Sequence, residues 1–95
     1  MNYAVGEIAC MLGVGVSGTV DARVSAVTND SRRASSGTLF VALPGDHADG
    51  HDYVQDAFLR GATAALVRQD RHIDPTEHGS LIAVEDPLTA LYDLA

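Results

Sequence analysis

The 95-residue chain has a single cysteine, no tryptophan and six basic residues against thirteen acidic ones. A lone cysteine, Cys10, cannot close an internal disulfide, and its place in an apolar helical stretch reads as a small buried hydrophobe rather than a nucleophile. The shortage of cations leaves a net charge of −7. That charge repels a phosphate backbone, and no basic stripe interleaved with aromatics offsets it, so nucleic acid is excluded as a partner. The same balance argues against an anionic membrane surface, and no apolar run approaches the roughly 20 residues that span a bilayer. The opening "MNYAVGEIACMLG" has no basic region ahead of its apolar residues and carries Glu7 among them. It does not read as a signal peptide, and the expected location is cytoplasmic. Two catalytic signatures are also missing, the G-x-S-x-G elbow of serine hydrolases and the G-x-x-x-x-G-K-[ST] loop that cradles a triphosphate.

What the chain does have is a 46% hydrophobic content spread along its whole length, enough for one small core, with no repeats and no low-complexity segment. Residues 3 to 12 place Val5, Ile8, Ala9 and Leu12 at helical spacing, and "GVGVSG" then stops the helix. "ARVSAVT" (22–28) reads as one strand, "TLFVAL" (38–43) as a strand buried on both faces, and "TAALVR" (63–68) and "LIAVE" (81–85) as two more. Between them, "HDYVQDAFLRGA" (51–62) carries the acid-first, basic-then-glycine signals of a helix, with Tyr53, Val54, Ala57 and Phe58 on its apolar side. "QDRHIDPTEHGS" (69–80) reads as an exposed loop. Asp86 and Pro87 open a last helix as N-cap and first-turn residue. That helix is still running at Ala95, which suggests one domain of a longer protein. The expected fold is α/β, a small mixed or mostly parallel sheet with flanking helices.

The chemistry-bearing residues crowd into "DSRRASSGTLFVALPGDHADGHDY" (30–53). A metal site could draw on Asp46, His47, Asp49, His51 and Asp52, and a metal-dependent hydrolase would use His47, Asp49 and His51. His47 and His51 share a face only on a helix, which Pro44, Gly45 and Gly50 oppose. The plainer reading is a polar turn, with Asp49-Gly50 supplying the bend and Asp52 capping the next helix. Ser31, Ser35 and Ser36 lie before a strand in a loop, where serine is ordinarily a turn residue. The remaining reading is a site for an anionic or nucleotide-like molecule, built by two loops that follow adjacent strands. Arg32 can fork onto a carboxylate or phosphate of the ligand, or pair with Asp30 or Asp49 and lock the two loops together.

The run from Val27 to Val67 resembles the N-terminal domain of the Mur ligases, the cytoplasmic ATP-dependent enzymes that extend the peptide stem of the peptidoglycan precursor. The shared pattern is D-[ST]-R-x-x-x-x-G-x-L-F-V-A-x-x-G over Asp30 to Gly45, D-G-[HR]-x-[FY] over Asp49 to Tyr53, and A-x-x-x-G-A over Ala57 to Ala62. The resemblance implies a mixed-sheet α/β domain that binds the UDP end of a UDP-N-acetylmuramoyl-peptide. In the full-length ligase a central ATPase domain holds ATP and Mg²⁺ and a C-terminal domain brings the incoming amino acid. The reaction phosphorylates the precursor's terminal carboxylate, and an amine then attacks the acyl phosphate to form an amide. The family's P-loop is absent from this chain, so the implied role is substrate recognition, with no cofactor and no catalysis in this domain alone. The uridine-contacting positions carry over to Asn29 and Ser31 in the first loop and to Asp46, His47 and Ala48 in the second; Asp30, Arg32 and Asp49 carry over as the lock between loops. "V-G-E-I-A-x-x-L-G" and "V-E-D-P-L-T-A-L-Y-D-L-A" are closer to the D-alanyl-D-alanine-adding type (MurF), while "D-S-R" and "A-D-G-H-D-Y" fit the type that adds the third stem residue (MurE) equally well.

Overall fold

In the computed structural model, which describes residues 2–43, 49–70 and 79–94, the continuous apolar run becomes the centre of the sheet. Strand β5 (Thr38–Val41) is buried at every position. It lies between β4 (Ala26–Thr28) and β6 (Ala64–Arg68), and β7 (Ser80–Val84) extends the row, all four parallel. The two-residue strand β2 (Val16–Ser17) closes one edge antiparallel to β7, giving the order β2-β7-β6-β5-β4. A separate ladder pairs β1 (Tyr3–Ala4) with β3 (Arg23–Val24).

Because side chains alternate along a strand, a sheet buried on both faces needs a layer on each. Leu39 and Val41 of β5 join Ala64, Leu66, Ile82 and Val84 on one face, covered by Val5, Ile8 and Ala9 of α1 (Val5–Leu12) and Ala90 of α3 (Pro87–Leu94). Phe40 and Ala42 join Ala65 and Val67 on the other, covered by Val54, Ala57 and Phe58 of α2 (Val54–Leu59). The α/β class and mixed sheet match expectation. Asp86 also caps α3 as expected, accepting from the Leu88 N–H at 3.1 Å and the Thr89 hydroxyl at 2.9 Å.

The structure departs from the sequence reading in four places. The segment 22–28 is two strands in two sheets, because the chain bends at Ser25, where the Ser25 and Ala26 amides both donate to the Gly37 carbonyl. Within "GVGVSG", Val16 and Ser17 pair with Ile82 and Leu81, so an edge strand stands where only a turn was expected. Two residues between glycines show no alternation to read, and the partner strand alone creates the pairing. Cys10 is exposed, since it follows the inward-facing Ala9 on α1. The expected helix at 51–62 is a 3-10 turn (Gly50–Tyr53) followed by α2, and Asp49 rather than the exposed Asp52 caps the turn. Of the loop expected over 69–80, residues 71–78 lie outside the described residues.

The parallel pair β4–β5 is joined by residues 29–37 alone, shorter than the helical crossover such pairs ordinarily need. A 3-10 turn at Ser31–Arg33, packed against α2, does the work of the helix. Both this connection and the one after β5 leave from the carboxyl end of the sheet. Truncating the side chain at the middle of the second core, Phe40→Ala, is expected to cost about 3–5 kcal/mol, read as a lowered urea midpoint with an unchanged slope.

Candidate functional site

The first loop is closed by its own charges. The Asp30 carboxylate accepts from the Arg32 backbone N–H at 3.0 Å, from Arg32 Nε at 3.1 Å and from Arg32 Nη2 at 3.1 Å. The Asp30 N–H in turn donates to Thr28 Oγ1 at 3.1 Å. The far end is held by Gly37, whose φ of 88° is open to glycine at little steric cost and whose N–H reaches Thr63 Oγ1 at 2.8 Å. The side-chain hydrogen bonds from Arg32, then its backbone N–H, hold the Asp30 carboxyl below its usual range. Ser31, inside this clasp, is buried.

The second loop is pinned by His51. Its imidazole is 1% exposed, with Nδ1 2.6 Å from Asp49 Oδ1 and Nε2 3.0 Å from the Arg68 backbone nitrogen. A backbone N–H can only donate, so Nε2 accepts, Nδ1 carries the proton, and Asp49 receives it. Asp49 Oδ1 also accepts the His51 N–H at 3.0 Å. Gly50 N–H donates to the Leu43 carbonyl at 2.7 Å, and the approach is so close that a Cβ on Gly50 would stand 2.6 Å from the Leu43 nitrogen. The loop is therefore fastened to the end of β5 by Gly50 and to the end of β6 by His51.

These contacts revise two expectations. The metal-hydrolase reading loses His51, whose two ring nitrogens are both engaged, and among the described residues no group of three or more His, Cys, Asp or Glu side chains could hold a metal ion. The proposed Arg32–Asp49 lock between loops is not formed: Arg32 pairs with Asp30 of its own loop, and Asp49 braces His51. Short-range pairs two residues apart close each loop before a longer reach is needed. Across from the first loop, Asp56 of α2 lines the same cleft as Ser31. Hydrogen bonding from the Ser31 hydroxyl, then from Arg60, holds the Asp56 carboxyl on α2 below its usual range.

Where the first loop meets the start of α2, a cleft of about 390 Å³ opens, lined by Asn29, Asp30, Ser31, Arg32, Tyr53 and Asp56. Four of the residues singled out from the sequence are thus brought together; Asp46, His47 and Ala48 lie outside the described residues. A larger hollow of about 540 Å³, bounded by Leu12, Glu85, Asp86 and Asp93, sits on the α1/α3 side and holds none of them. Tyr53 and Asp56 were missed. Tyr53 reads as a core position by spacing, yet it is 45% exposed and turns toward the cleft. The available signal was the i, i+3 relation of Tyr53 and Asp56, which puts both on one side of a helical turn. The cleft offers a hydroxyl, an amide, a phenol ring and a guanidinium. The imidazole of His51 is committed to Asp49 and the Arg68 N–H, so the arrangement suits holding a polar ligand rather than nucleophilic attack.

The family described as "Mur ligase family, catalytic domain" matches residues 23–94. The UDP-N-acetylmuramoyl-L-alanyl-D-glutamate–2,6-diaminopimelate ligase of Cytophaga hutchinsonii is 36% identical over 78 residues, which are 82% of this chain and 16% of that protein. The UDP-N-acetylmuramoyl-tripeptide–D-alanyl-D-alanine ligase of Bacillus subtilis is 40% identical over 73 residues, 76% of this chain and 16% of that protein. A crystal structure of MurF from Acinetobacter baumannii superposes with a TM-score of 0.84 at 25% identity, covering 99% of this chain and 20% of that one. The chain spans about a sixth of the length of these curated relatives.

Two outcomes follow from the clasps. His51→Leu leaves the Arg68 N–H without its acceptor and is expected to destabilise the fold by about 1–3 kcal/mol in urea unfolding. Asp30 and Asp56 have folded pKa values below their unfolded ones. Their contribution is therefore present at neutral pH and lost as pH falls through those lowered values. Acid titration of stability should show this loss, and Asp30→Asn with Asp56→Asn should flatten it.

Proposed function

The chain belongs to the Mur ligase family and has the mixed-sheet fold of that family's N-terminal domain, and from that premise we propose that it recognises the UDP part of a UDP-N-acetylmuramoyl-peptide for a cytoplasmic, ATP-dependent, amide-forming ligase. The observation that carries this reading is the cleft at the carboxyl end of β4, where Asn29 and Ser31 face Tyr53. Open α/β sheets bind ligands in the loops beyond their strand ends. The relatives' names share the UDP-N-acetylmuramoyl group and differ in what is added to it, which suits a domain that meets the shared end of the precursor. The family resemblance adds Asp46, His47 and Ala48 to the proposed contacts with that ligand.

Chemistry on the stem peptide belongs to the rest of the ligase. The sequence has no glycine-rich lysine loop for ATP, and the described residues contain no group of three or more His, Cys, Asp or Glu side chains that could hold a metal ion. We assign both, and the incoming amino compound, to a central ATPase domain and its partner beyond this domain. What these residues do is bind and orient: Ser31 and Asn29 supply polar contacts, Tyr53 an aromatic wall, and the Asp30–Arg32 fork keeps the loop in shape. The reading is MurF-type, adding D-alanyl-D-alanine, supported by the opening and closing helical motifs; the curated relatives include both MurF and MurE types.

NMR titration of the chain with UDP-N-acetylmuramoyl-tripeptide is expected to shift the amides of residues 29–32 and 46–48, and Ser31→Ala to weaken binding by about five- to tenfold. Absence of shifts in either loop would sink the proposal. In the full-length ligase, turnover with D-alanyl-D-alanine rather than diaminopimelate would support the MurF reading, and the reverse preference would replace it.

A further inference from the structure

Helix α3 is covered on one side only. Pro87 and Ala90 are buried, with Leu91 half-buried against the same core as Ala90. On the outward side two rows run along the helix at i, i+4 spacing. One is Leu88 and Tyr92, 42% and 71% exposed; the other is Thr89 and Asp93, both exposed. A single exposed leucine is ordinary, but a surface helix keeps its apolar stripe toward the core. Leu88 and Tyr92 form a second apolar row that this domain does not cover.

The Thr89–Asp93 row forms one wall of the 540 Å³ hollow. Leu12, Val14 and Val84 give that hollow an apolar lining, and Glu85, Asp86 and Asp93 surround it with carboxylates. Asp86 is committed to capping α3. Among the described residues, Glu85 and Asp93 take part in no ion pair. No described arginine is spare for them. Arg23, Arg32, Arg60 and Arg68 pair with Glu7, Asp30, Asp56 and Asp70. Arg33 stands in the 3-10 turn packed against α2, on the opposite face of the sheet.

The two rows therefore fit one kind of partner, an apolar surface with a cation beside it. A second copy of this chain does not supply it, because each copy carries a net charge of −7 and has no spare described arginine to offer. The chain spans 16% of each of the two curated relatives, and an N-terminal domain passes into the rest of its ligase through its last element, here α3. We propose that the outward face of α3 is the seat of the next domain of the same polypeptide, which packs apolar side chains on Leu88 and Tyr92 and sends a lysine or arginine into the acid-rimmed hollow. The covalent tether holds that domain near α3 at high effective concentration, so a modest contact suffices. This rests on the reading of the chain as one domain of a longer ligase, not on which ligand the cleft takes. Because α2 and α3 cover opposite faces of the sheet, a domain seated on α3 leaves the Tyr53 cleft open.

Tyr92 itself reports the contact. Nitration of tyrosines by tetranitromethane, mapped by mass spectrometry, is compared between this chain and the full-length ligase. In the ligase Tyr92 is expected to react about tenfold more slowly than in the chain, as for a contact populated about ten to one, while Tyr53 keeps its rate. Leu88→Asp puts an acid in the first turn of α3, which the helix dipole favours, so the domain keeps its fold; in the ligase it is expected to return Tyr92 to the rate seen in the chain. Glu85→Gln with Asp93→Asn, and separately a rise in salt, should speed Tyr92 nitration in the ligase by about threefold and leave the chain unchanged. Equal Tyr92 rates in chain and ligase, or protection that survives Leu88→Asp, overturns the proposal while UDP-induced shifts at residues 29–32 stand by themselves. Protection in the chain that grows with its concentration gives the face to a second copy and overturns it too. Protection unmoved by salt and by the double amide variant overturns the cation in the hollow. Tyr92 protected in the ligase without any UDP-induced shift in the chain removes the nucleotide reading and supports the docking face.

Discussion

Everything in this domain follows from one strand that has no solvent side. With Leu39 and Val41 on one face of β5 and Phe40 and Ala42 on the other, neither layer of helices is optional, and neighbours must pair along both edges of the strand. Parallel pairing on both edges then sends the connections before and after β5 out at corresponding ends of the sheet. The loop after β4 and the loop after β5 emerge side by side for that reason. The cleft between the first loop and the start of α2 is a by-product of burying one strand completely.

The charged cluster between residues 30 and 53 divides its labour in a way that composition does not reveal. Asp30 pairs with Arg32, and Asp49 with His51, each two residues apart in the chain. The exposed Asp30–Arg32 pair contributes shape more than stability. The buried imidazole contributes more, because it satisfies a β6 backbone amide and a carboxylate at once with a single neutral tautomer. With the first loop braced internally, Ser31, Asn29 and Tyr53 line the cleft beside it. Some residues shape the cleft and others line it.

Much of this was legible beforehand for a physical reason. The run Thr38 to Val41, the helix signals of Val5 to Leu12 and the Asp86-Pro87 cap are local statements, in which periodicity and capping chemistry leave one sensible structure. The motif carried by Asp30, Ser31, Arg32 and Asp49 to Tyr53 was legible too, as a family pattern. What was not legible had a non-local cause. Val16 and Ser17 are a strand only because β7 lies beside them, and the bend at Ser25 exists because Gly37 presents one carbonyl to two amides. His51 was visible as a ligand type but not as a bracket, because the Arg68 amide it serves is seventeen residues away.

The sequence by itself determined the fold class, the central buried strand and the family, since those rest on apolar periodicity, turn residues and a spaced motif. Only the tertiary structure decided what each polar side chain in those loops does. A carboxylate and an imidazole are each versatile in isolation, and the direction of a hydrogen bond is set by the partner that packing brings within reach: the Arg68 amide for His51, and Arg32 for Asp30.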